Sequence, residues 1–373
     1  MQSYATGLAE RGHKVTVFTA NAMAFKKAHL PSYESREGIT ILRFPFVSFP
    51  LKYAFISPRM IIALMKSDVE VLQVFSLLPS FFILAPIIIA KLRGIRLVLY
   101  PQFHPLRSQF YQSAITRTLG RVFDRSVVIF FLKMADYIIA LTYAEQRYYR
   151  ALGIRSVTTN YEWLPHRQLP QPTTVDAFRM RFGISQSDPV ILFVGRIEKK
   201  KGLDILVSSL PYVIARFPKV KLVVVGRDLG ALTECVSIAR HLNCSDRLVL
   251  IGEITEDEEL SAAYSISNIV VIPSLCESYC RTVIEAWTFK KPVVVSRSVG
   301  LSELVTDDSG ILVRPGRISD LEIAISELLS DPHRAKDMGE RGRLVLNKKM
   351  LDLPHLLDRL IDIYQLRDSS IVA

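Results

Sequence analysis

Two cationic side chains stand at the junction between an apolar run and an amphipathic stretch near the middle of the chain. In the segment ILFVGRIEKKKGL, Arg196 directly follows the run that ends at Gly195, and Lys201 directly precedes the next helical pattern. An arginine can hold phosphate oxygens through two hydrogen bonds, and a lysine adds a compact charge. This spacing suits a phosphate-binding turn. On spacing alone, a solvated lysine-rich turn is the simpler interpretation.

Two carboxylates are found in the segment PSLCESYCRTVIEA. Glu277 lies on a predicted loop, and Glu285 lies eight residues later, about one turn inside a helix predicted from Thr282. Both can face one crevice, into which the first amides of that helix would point. A carboxylate on the helix suits a pair of ribose hydroxyls, and one on the loop suits sugar hydroxyls or a developing positive charge. The alternative for Glu285 is an ordinary surface position.

The elements that must position these residues form a regular alternation of short apolar runs and amphipathic stretches, which is typical of βα units and parallel sheets. Strands are predicted in the second half at Val190–Val194, Lys221–Val225, Leu248–Ile251, Ile269–Ile272, Pro292–Val295 and Gly310–Val313. In the first half they are predicted at Lys14–Thr19, Thr40–Phe44, Val69–Val74, Arg96–Tyr100 and Tyr137–Thr142. The sequence therefore predicts an α/β protein with two doubly wound domains.

The Pro-rich segment 164–174 separates the two series. We expect a first domain at 1–168, a second at 169–350, and a final helix within 351–373 that crosses back to the first domain. The chain opens inside what reads as the first helix, without the strand and glycine-rich turn that normally begin such a domain. We therefore expect the true start to lie upstream.

An uncharged stretch of twenty residues, 71–90, has about the length of a membrane span. It contains Pro79 and Pro86, and it also fits a buried strand followed by an apolar helix. We favour the buried interpretation. The N-terminal residues lack the apolar core of a signal peptide.

The order of these motifs resembles the donor-binding half of glycosyltransferase family 4, whose members are retaining enzymes of the GT-B fold. The shared stretches run from about Pro189 to Met338. They comprise Gly195-Arg196, Lys201-Gly202, Val225-Gly226, Ile251-Gly252-Glu253, Pro273-Ser274, Glu277 with Glu285, and Lys291-Pro292-Val293-Val294. In the first half, the stretches RGHKVTV and ADYIIA are similar to those of that family. The resemblance implies two Rossmann-like domains facing each other across a cleft.

The resemblance also implies roles for individual residues. Arg196 and Lys201 would bind the diphosphate of the donor, Glu285 its ribose, and Glu277 its sugar near the reaction centre. His104 would face the donor sugar, although a loop histidine held by hydrogen bonds is the plain alternative. The remaining implied positions are the sugar- and phosphate-facing amides of Tyr279, Cys280, Arg281, Thr282 and Val283, and the base-binding Gly252 and Ile254.

The sequence departs from the family pattern beside the first carboxylate. Where the family usually has E-G-F-G, this chain has Glu277-Ser278-Tyr279-Cys280. Two glycines that permit close backbone approach are replaced, so we expect a shifted loop or a pocket for a different sugar.

The implied reaction is transfer of a sugar from a nucleoside diphosphate to the hydroxyl of a glycolipid, polysaccharide or similar glycan, with the anomeric configuration retained. We expect no cofactor and no metal, because the two cations can neutralise the leaving group and no D-x-D motif occurs. The alternatives are a nucleotide-sugar epimerase or phosphorylase of the same architecture, and an inert homologue that binds nucleotide sugar or membrane.

The charge is unevenly distributed, and the four cysteines do not form a scaffold. The chain has a net charge of +11. Residues 1–170 contain 21 Lys and Arg but only 9 Asp and Glu, so the positive charge is concentrated there. Nucleic acid is the least favoured partner, because basic and aromatic residues are not interleaved. Lys26, Lys27, Arg93, Arg96, Arg117, Arg121 and Arg125, with apolar residues 44–55, favour an anionic membrane surface about as well as a plain basic surface. We expect free thiols and a cytoplasmic protein, peripheral on the inner face of the membrane.

Overall fold

The computed structural model describes residues 2–23, 26–27, 30–48, 55–76, 81–101, 114–159, 169–277, 279–298, 300–349 and 353–365. Contacts divide it into two compact units. The first comprises the described residues up to Thr159 together with the C-terminal helix, and the second comprises residues 169–349. Helices alternate with largely parallel strands in both units, which confirms the predicted α/β class.

The first unit contains six helices and eleven strands before the linker, within the described residues. They are α1 (Gln2–Glu10), β1 (Val15–Ala20), β2 (Ala22–Met23), β3 (Lys26–Lys27), β4 (Tyr33–Arg36), β5 (Ile39–Phe44), β6 (Val47–Ser48), β7 (Phe55–Ile56), α2 (Pro58–Lys66), β8 (Val71–Phe75), α3 (Phe81–Arg93), β9 (Arg96–Tyr100), α4 (Ala114–Phe123), α5 (Ile129–Met134), β10 (Tyr137–Ala140), α6 (Tyr143–Ala151) and β11 (Val157–Thr159).

The second unit follows, and a helix of the first unit closes the chain. The elements are α7 (Pro172–Arg181), β12 (Val190–Val194), α8 (Leu203–Arg216), β13 (Lys221–Val225), α9 (Leu232–His241), β14 (Leu248–Gly252), α10 (Asp257–Ile266), β15 (Ile269–Ile272), α11 (Arg281–Thr288), β16 (Val293–Ser296), α12 (Leu301–Leu304), β17 (Ile311–Val313), α13 (Ile318–Ser330), α14 (Pro332–Lys349) and α15 (Leu353–Gln365).

The sheets of the first unit are parallel apart from short hairpins. One has the order β11-β10-β9-β8, and another has the order β1-β5-β4, in which only β4 runs antiparallel. The apolar stretch 71–90 contributes β8 and most of α3, as the buried interpretation predicts. No helix among the described residues is long and apolar enough to cross a membrane.

One long helical stretch of the first unit was not delineated by the sequence. Residues 114–134 form α4, a π-helical turn at Asp124–Val128, and α5 without a break. Val128, Phe131 and Leu132 of this stretch are buried among strands β8 to β10. A π turn inserts one residue into the helical repeat, so it shifts the face that the following residues present.

The last helix, α15, packs on the first unit. Arg11, directly after α1, pairs with Asp358 at 2.7 Å. Gly7 lies so close to Leu357 that a Cβ at this glycine would collide with the leucine side chain. Further along the helix, Tyr364 donates its hydroxyl to Gln73 of β8. The helix thus joins α1 to the parallel sheet.

Two residues from the region predicted to dock on a membrane, Arg96 and Phe46, are partly or largely buried. Arg96 is half-buried and donates from Nη1 to the carbonyl of Tyr364 at 3.1 Å. Phe46, within the apolar segment 44–55, is only 9% exposed. These two residues therefore belong to the packing of the first unit, which corrects that part of the prediction.

The second unit is built on one six-stranded parallel sheet with the order β14-β13-β12-β15-β16-β17. Side chains of β12 alternate between two cores: Val190 and Leu192 pack on one face, and Ile191 and Phe193 on the other. Because helices cover both faces, nearly all positions of the central strands are apolar. This explains the uninterrupted apolar runs that predicted these strands.

Helix α14 supports α11 from the side. A Cβ at Gly342 would collide with the indole ring of Trp287, and one at Gly339 would collide with the carbonyl of Lys290. The Trp287 indole is fully buried and donates from Nε1 to the carbonyl of Ser309 at 3.1 Å. Two glycines thus allow α14 to approach α11 at backbone distance.

Candidate active site

The sheet of the second unit reverses its winding direction between β12 and β15. Chain order runs outward from β12 through β13 to β14, and then outward again on the other side from β15 through β16 to β17. In open parallel sheets, ligands bind at the carboxyl edge beside such a reversal. Arg196 and Lys201 follow β12, and Glu277 and Glu285 follow β15. All four predicted residues therefore come from the segments that flank the switch point.

Gly202 brings the turn after β12 against the loop after β15. Its φ of +70° is in the left-handed region, and a Cβ there would collide with the carbonyl oxygen of Pro273. The amide of Leu275 donates to the carbonyl of Lys200 at 2.8 Å, which joins the same two segments. A residue with a side chain at position 202 would push these segments apart. Glycine at position 202 therefore allows the turn after β12 to contact the loop after β15.

The structure separates Lys201 from the rest of the lysine run. Lys199 is 59% exposed and pairs with Asp204 and Glu234, as a solvated turn would. The Lys201 side chain is only 18% exposed, and its ammonium group contacts Oε1 of Glu277, which is 10% exposed. Two predicted site residues therefore form one buried ion pair across the switch point.

Glu277 is held at several points. Its Oε1 also accepts a hydrogen bond from Ser274 Oγ at 3.0 Å, and its carbonyl accepts one from Ser298 Oγ at 3.3 Å. Burial acts to lower the pKa of Lys201, but the Glu277 charge and hydrogen bond outweigh burial, together with a smaller contribution from Cys280. The pKa of Lys201 is therefore raised above its ordinary value. Lys201 stays cationic throughout the neutral range, as phosphate binding requires.

Arg196 is more open than Lys201. Its side chain is 58% exposed and pairs through Nη2 with Glu198 Oε1 at 3.0 Å. Its positive charge acts weakly to lower the pKa of Lys201, against the larger effect of Glu277. A half-exposed arginine with an acidic neighbour can turn to an incoming anion at small cost. The sequence analysis did not predict a role for Glu198. Only its position two residues after Arg196 could have indicated this ion pair.

Glu285 is positioned by a residue that the sequence analysis missed. Tyr264 of α10 donates its hydroxyl to Oε2 of Glu285 at 2.7 Å. Tyr264 is fully buried, and its ring stacks on Phe289 with centroids 5.4 Å apart. The carboxylate is therefore anchored from behind by a rigid phenol. In the sequence, this role could have been suspected only from the position of the tyrosine, two turns into the helix that precedes β15.

The start of α11 lies beside the end of β12. Thr282 Oγ1 donates to the carbonyl of Val194 at 3.2 Å. The amide of Val283 already donates to Cys280 at 3.2 Å, and the Val283 side chain is fully buried. Arg281 is exposed, and Tyr279 is half-buried against the core. The predicted residues thus lie at a helix start, where the dipole favours an anion, but the amide of Val283 is already used by Cys280.

Cys280 occupies the N-cap of α11 with its side chain 4% exposed. Burial raises its pKa to about 12, with the Glu277 charge acting in the same direction. Burial likewise raises the pKa of Cys276 to about 12. All four cysteines are free, as expected. The two thiols beside Glu277 are therefore neutral packing groups.

The remaining predicted positions lie further out or outside the described residues. Gly252 ends the edge strand β14 with a φ of +87°, and its carbonyl accepts from the amide of Gly226 at 2.7 Å. Ile254 follows it and packs partly against the core. His104 lies outside the described residues, so its role stays a prediction. Across the described ranges, no three His, Cys, Asp or Glu side chains cluster as metal ligands would.

The fold is that of a doubly wound α/β protein, and the segments beside its switch point carry Arg196, Lys201, Glu277 and Glu285. Two family models match the chain: "Glycosyl transferase 4-like domain" over residues 1–161 and "Glycosyl transferases group 1" over residues 175–345. The chain belongs to the GT-B glycosyltransferases of these two groups, which confirms the family resemblance.

Curated relatives match part of the chain. D-inositol 3-phosphate glycosyltransferase of Segniliparus rotundus is 32% identical over 176 residues, which are 46% of this chain and 39% of the relative. An enzyme described as D-inositol 3-phosphate glycosyltransferase 2, from Catenulispora acidiphila, is 35% identical over 46% of this chain and 42% of its own. The matched region thus spans about two fifths of the length of these relatives.

Solved structures match over nearly the whole chain. Sucrose-phosphate synthase of Thermosynechococcus elongatus superimposes with a TM-score of 0.78 at 21% identity, covering 98% of this chain and 91% of the other. Anabaena HepE in complex with UDP-glucose gives a TM-score of 0.73 at 17% identity, covering 96% and 93%. At these identities the likeness shows the fold, which is that of GT-B glycosyltransferases.

Proposed function

We propose that this chain transfers a sugar from a nucleoside-diphosphate sugar to an acceptor hydroxyl with retention of the anomeric configuration. The observation that carries the proposal is the buried contact between Lys201 and Glu277, made by the segments on either side of the switch point. Glu285 lies on the helix that begins at the same edge, with its carboxylate anchored by Tyr264. These observations support a donor site in which Lys201 is the cation, Glu277 the sugar-facing acid and Glu285 the ribose-facing acid.

In this reaction the bond between the anomeric carbon and the diphosphate oxygen breaks, and the acceptor oxygen forms the new bond to that carbon. The acceptor proton passes to the departing diphosphate. The transition state is oxocarbenium-like, so negative charge accumulates on the diphosphate as it leaves. Lys201, Arg196 and the first amides of α11 neutralise that charge. No metal is needed where the protein supplies these cations.

The ion pair explains how Lys201 is kept in position before the donor arrives. Glu277 neutralises it, and a buried cation without a partner would be costly. When the diphosphate takes over part of the ammonium hydrogen bonding, Glu277 becomes available to the donor sugar. Glu277 keeps Ser274 as a fixed hydrogen-bond donor throughout.

The names of similar proteins support a class of donor and a class of acceptor for the proposed reaction. Anabaena HepE binds UDP-glucose, which supports a nucleoside-diphosphate hexose as donor. Two curated relatives act on D-inositol 3-phosphate according to their names, and WaaG takes part in lipopolysaccharide biosynthesis. We propose a hydroxyl of a glycolipid, polysaccharide or similar glycan as acceptor.

The test is a screen of nucleoside-diphosphate sugars for binding by calorimetry and for hydrolysis or transfer. The comparison pair is Glu285→Gln against Glu234→Gln, since Glu234 lies exposed on α9. We expect at least about tenfold weaker donor binding for Glu285→Gln, because hydrogen bonds to charged groups contribute about 1.5–3 kcal/mol. Chelators should leave turnover unchanged.

Three results would contradict the proposal. Failure to bind any nucleoside-diphosphate sugar would remove the donor site. Conversion of the donor into its epimer without transfer would assign the epimerase alternative. Loss of turnover with a chelator, restored by a divalent cation, would overturn the metal-free mechanism.

A further inference from the structure

Three arginines lie at the carboxyl ends of two neighbouring strands of the second unit. Arg297 directly follows β16 and Arg314 directly follows β17, just beyond the last pair in register, Ser296 and Val313. Arg317 comes three residues later, immediately before α13. We call Arg297, Arg314 and Arg317 the arginine cluster. The sequence analysis assigned no role to any of them.

The backbone holds the three residues close together. The amide of Arg297 donates to the carbonyl of Val313 at 2.7 Å, which places Arg297 beside Arg314. Residues 314–317, RPGR, form a tight turn in which the amide of Arg317 donates to the carbonyl of Arg314 at 3.3 Å. Proline followed by a left-handed glycine, here with a φ of +76°, is typical of a type II turn. The two ends of such a turn lie within about 7 Å of each other.

One carboxylate is paired with the arginine cluster in the described part of the chain. Asp320 accepts from Nε of Arg314 at 2.7 Å and from Nη2 at 2.8 Å. The hydrogen bond from Arg314 lowers the pKa of Asp320 to about 2, so this pair is ionised at neutral pH. Arg297 and Arg317 are exposed and form no ion pair with the described residues. Two positive charges are therefore left unneutralised, and their mutual repulsion is relieved when an anion binds between them.

The arginine cluster borders the loop that carries Glu277. A Cβ at Gly316, in the middle of the RPGR turn, would lie 3.8 Å from the side chain of Leu275, which is ordinary van der Waals contact. Ser298, the residue after Arg297, donates from Oγ to the carbonyl of Glu277 at 3.3 Å. Both segments of the cluster therefore contact the loop after β15.

The strand order places the arginine cluster on the other side of Glu277 from Lys201. Lys201 follows β12 and Glu277 follows β15, whereas β16 and β17 are the next two strands on the far side of β15. Because neighbouring strands lie about 4.8 Å apart, the ends of β16 and β17 are roughly 5 and 10 Å beyond the end of β15. An anion at the cluster is thus separated from the cation that we propose for the donor diphosphate.

We propose that the arginine cluster binds a phosphate group carried by the acceptor. A guanidinium group can hold two phosphate oxygens at once, so Arg297 and Arg317 suit this group better than a single charge would. The dipole of α13, which begins directly after Arg317, also favours an anion at this place. Assignment to the acceptor rests on the proposed function, in which Arg196 and Lys201 hold the donor diphosphate. The anion site itself rests on the cluster alone.

Binding of inorganic phosphate tests the anion site without donor or acceptor. Titration of the full chain is followed by phosphorus NMR. The double variant Arg297→Gln, Arg317→Gln should bind phosphate at least about tenfold more weakly, because it removes both unpaired guanidinium groups. Arg314 is left unchanged so that Asp320 keeps its partner. The charge-matched control is Lys219→Gln, Arg240→Gln, at exposed positions before the amino ends of β13 and β14, and it should bind as the unchanged chain does.

Two further comparisons separate the cluster from the donor site. Lys201→Ala removes a cation of the donor site, and we expect it to retain the phosphate binding that the double variant abolishes. Glucose 6-phosphate should bind to the unchanged chain and glucose should not, since the phosphate is the recognised group. The KM for donor hydrolysis should be the same in the double variant and the unchanged chain. Thermal melts should also agree, because both replaced side chains are exposed.

Unchanged phosphate binding in the double variant, or equal weakening in the control pair, would overturn the proposal. So would loss of all phosphate binding in Lys201→Ala, which would assign the anion to the donor site. A raised donor KM in the double variant would assign the cluster to the donor and refute the acceptor. If no nucleoside-diphosphate sugar binds while the double variant still loses phosphate binding, the proposed function and the acceptor assignment fail and the anion site stands.

Discussion

The two units of this protein use charged side chains in opposite ways. In the second unit, Lys201 is withdrawn from solvent and contacts Glu277, so that its charge is neutralised until an anion arrives. In the first unit, Arg121 and Arg125 are exposed on a helical stretch, 114–134, whose one acidic residue is buried. A neutralised, buried cation suits a small ligand of defined shape. The exposed cations instead keep their charge open to solvent.

The largest effect is expected at Lys201. Lys201→Ala should reduce transfer or donor hydrolysis about 10²- to 10³-fold, because it removes one preorganised group from the developing charge. Measured kcat of the purified variant checks this expectation.

The control is Lys200→Ala, whose ammonium group pairs with Glu198 at 3.5 Å and is 35% exposed. Turnover close to that of the unchanged chain is expected there. If both alanine variants lose activity equally, the distinction between a solvated turn and a site lysine fails.

The next effect concerns the close approach at Gly202. Gly202→Ala should destabilise the second unit by more than about 2 kcal/mol, because left-handed strain of about 1–2 kcal/mol adds to a collision with Pro273. Gly183→Ala is the matched control: its φ is +63° and no atom lies within 4 Å of the added Cβ. Urea unfolding curves give the difference. Equal losses would mean that the two loops are not held in contact by this glycine.

A smaller effect is expected at Tyr264. Tyr264→Phe keeps the stacked ring but removes the hydroxyl that holds Glu285. The donor KM should rise about five- to tenfold while kcat changes little, because a typical intramolecular hydrogen bond contributes about 0.5–1.5 kcal/mol. Tyr212→Phe, at a side chain 63% exposed, serves as the control. A fall in kcat with KM unchanged would place Tyr264 in the chemical step instead.

The smallest effect concerns the thiols beside Glu277. Because burial raises the pKa of Cys276 and Cys280 to about 12, both are protonated at pH 8 and should react slowly with iodoacetamide. Raising the pH towards 12 increases the thiolate fraction and should increase the rate. Mass spectrometry of the native chain, with a denatured sample as reference, gives both rates. Rapid labelling of either cysteine at pH 8 would show that the packing around Glu277 is more open than the structure indicates.

The sequence predicted most of the second unit because its strands are buried on both faces. Three strands, Val190–Val194, Lys221–Val225 and Ile269–Ile272, match the structure at both ends. Their continuous apolar runs leave little choice of register or length. In the first unit, the helical stretch 114–134 was not delineated, since its exposed apolar side chains and its π turn obscure a simple period.

The site was predicted by type and less well by pairing. Lys201 and Glu277 were assigned separate ligands, whereas in the structure they contact each other. Their partnership depends on which strand lies beside β12, and no local pattern specifies that neighbour. The anchor of Glu285 was missed for the same reason, because Tyr264 lies 21 residues away and on another helix.

The close packing of α14 against α11 links residues of α14 to the position of Glu285. Gly339 and Gly342 leave no room for a side chain between α14 and the segment that contains α11. Glu285 lies two residues before Trp287 and five before Lys290 in that segment. A methyl group added at either glycine must tilt α11 or lift α14. Because a tilt would draw the Glu285 carboxylate away from the Tyr264 hydroxyl, we expect substitutions on α14 to change the position of this carboxylate without contacting it.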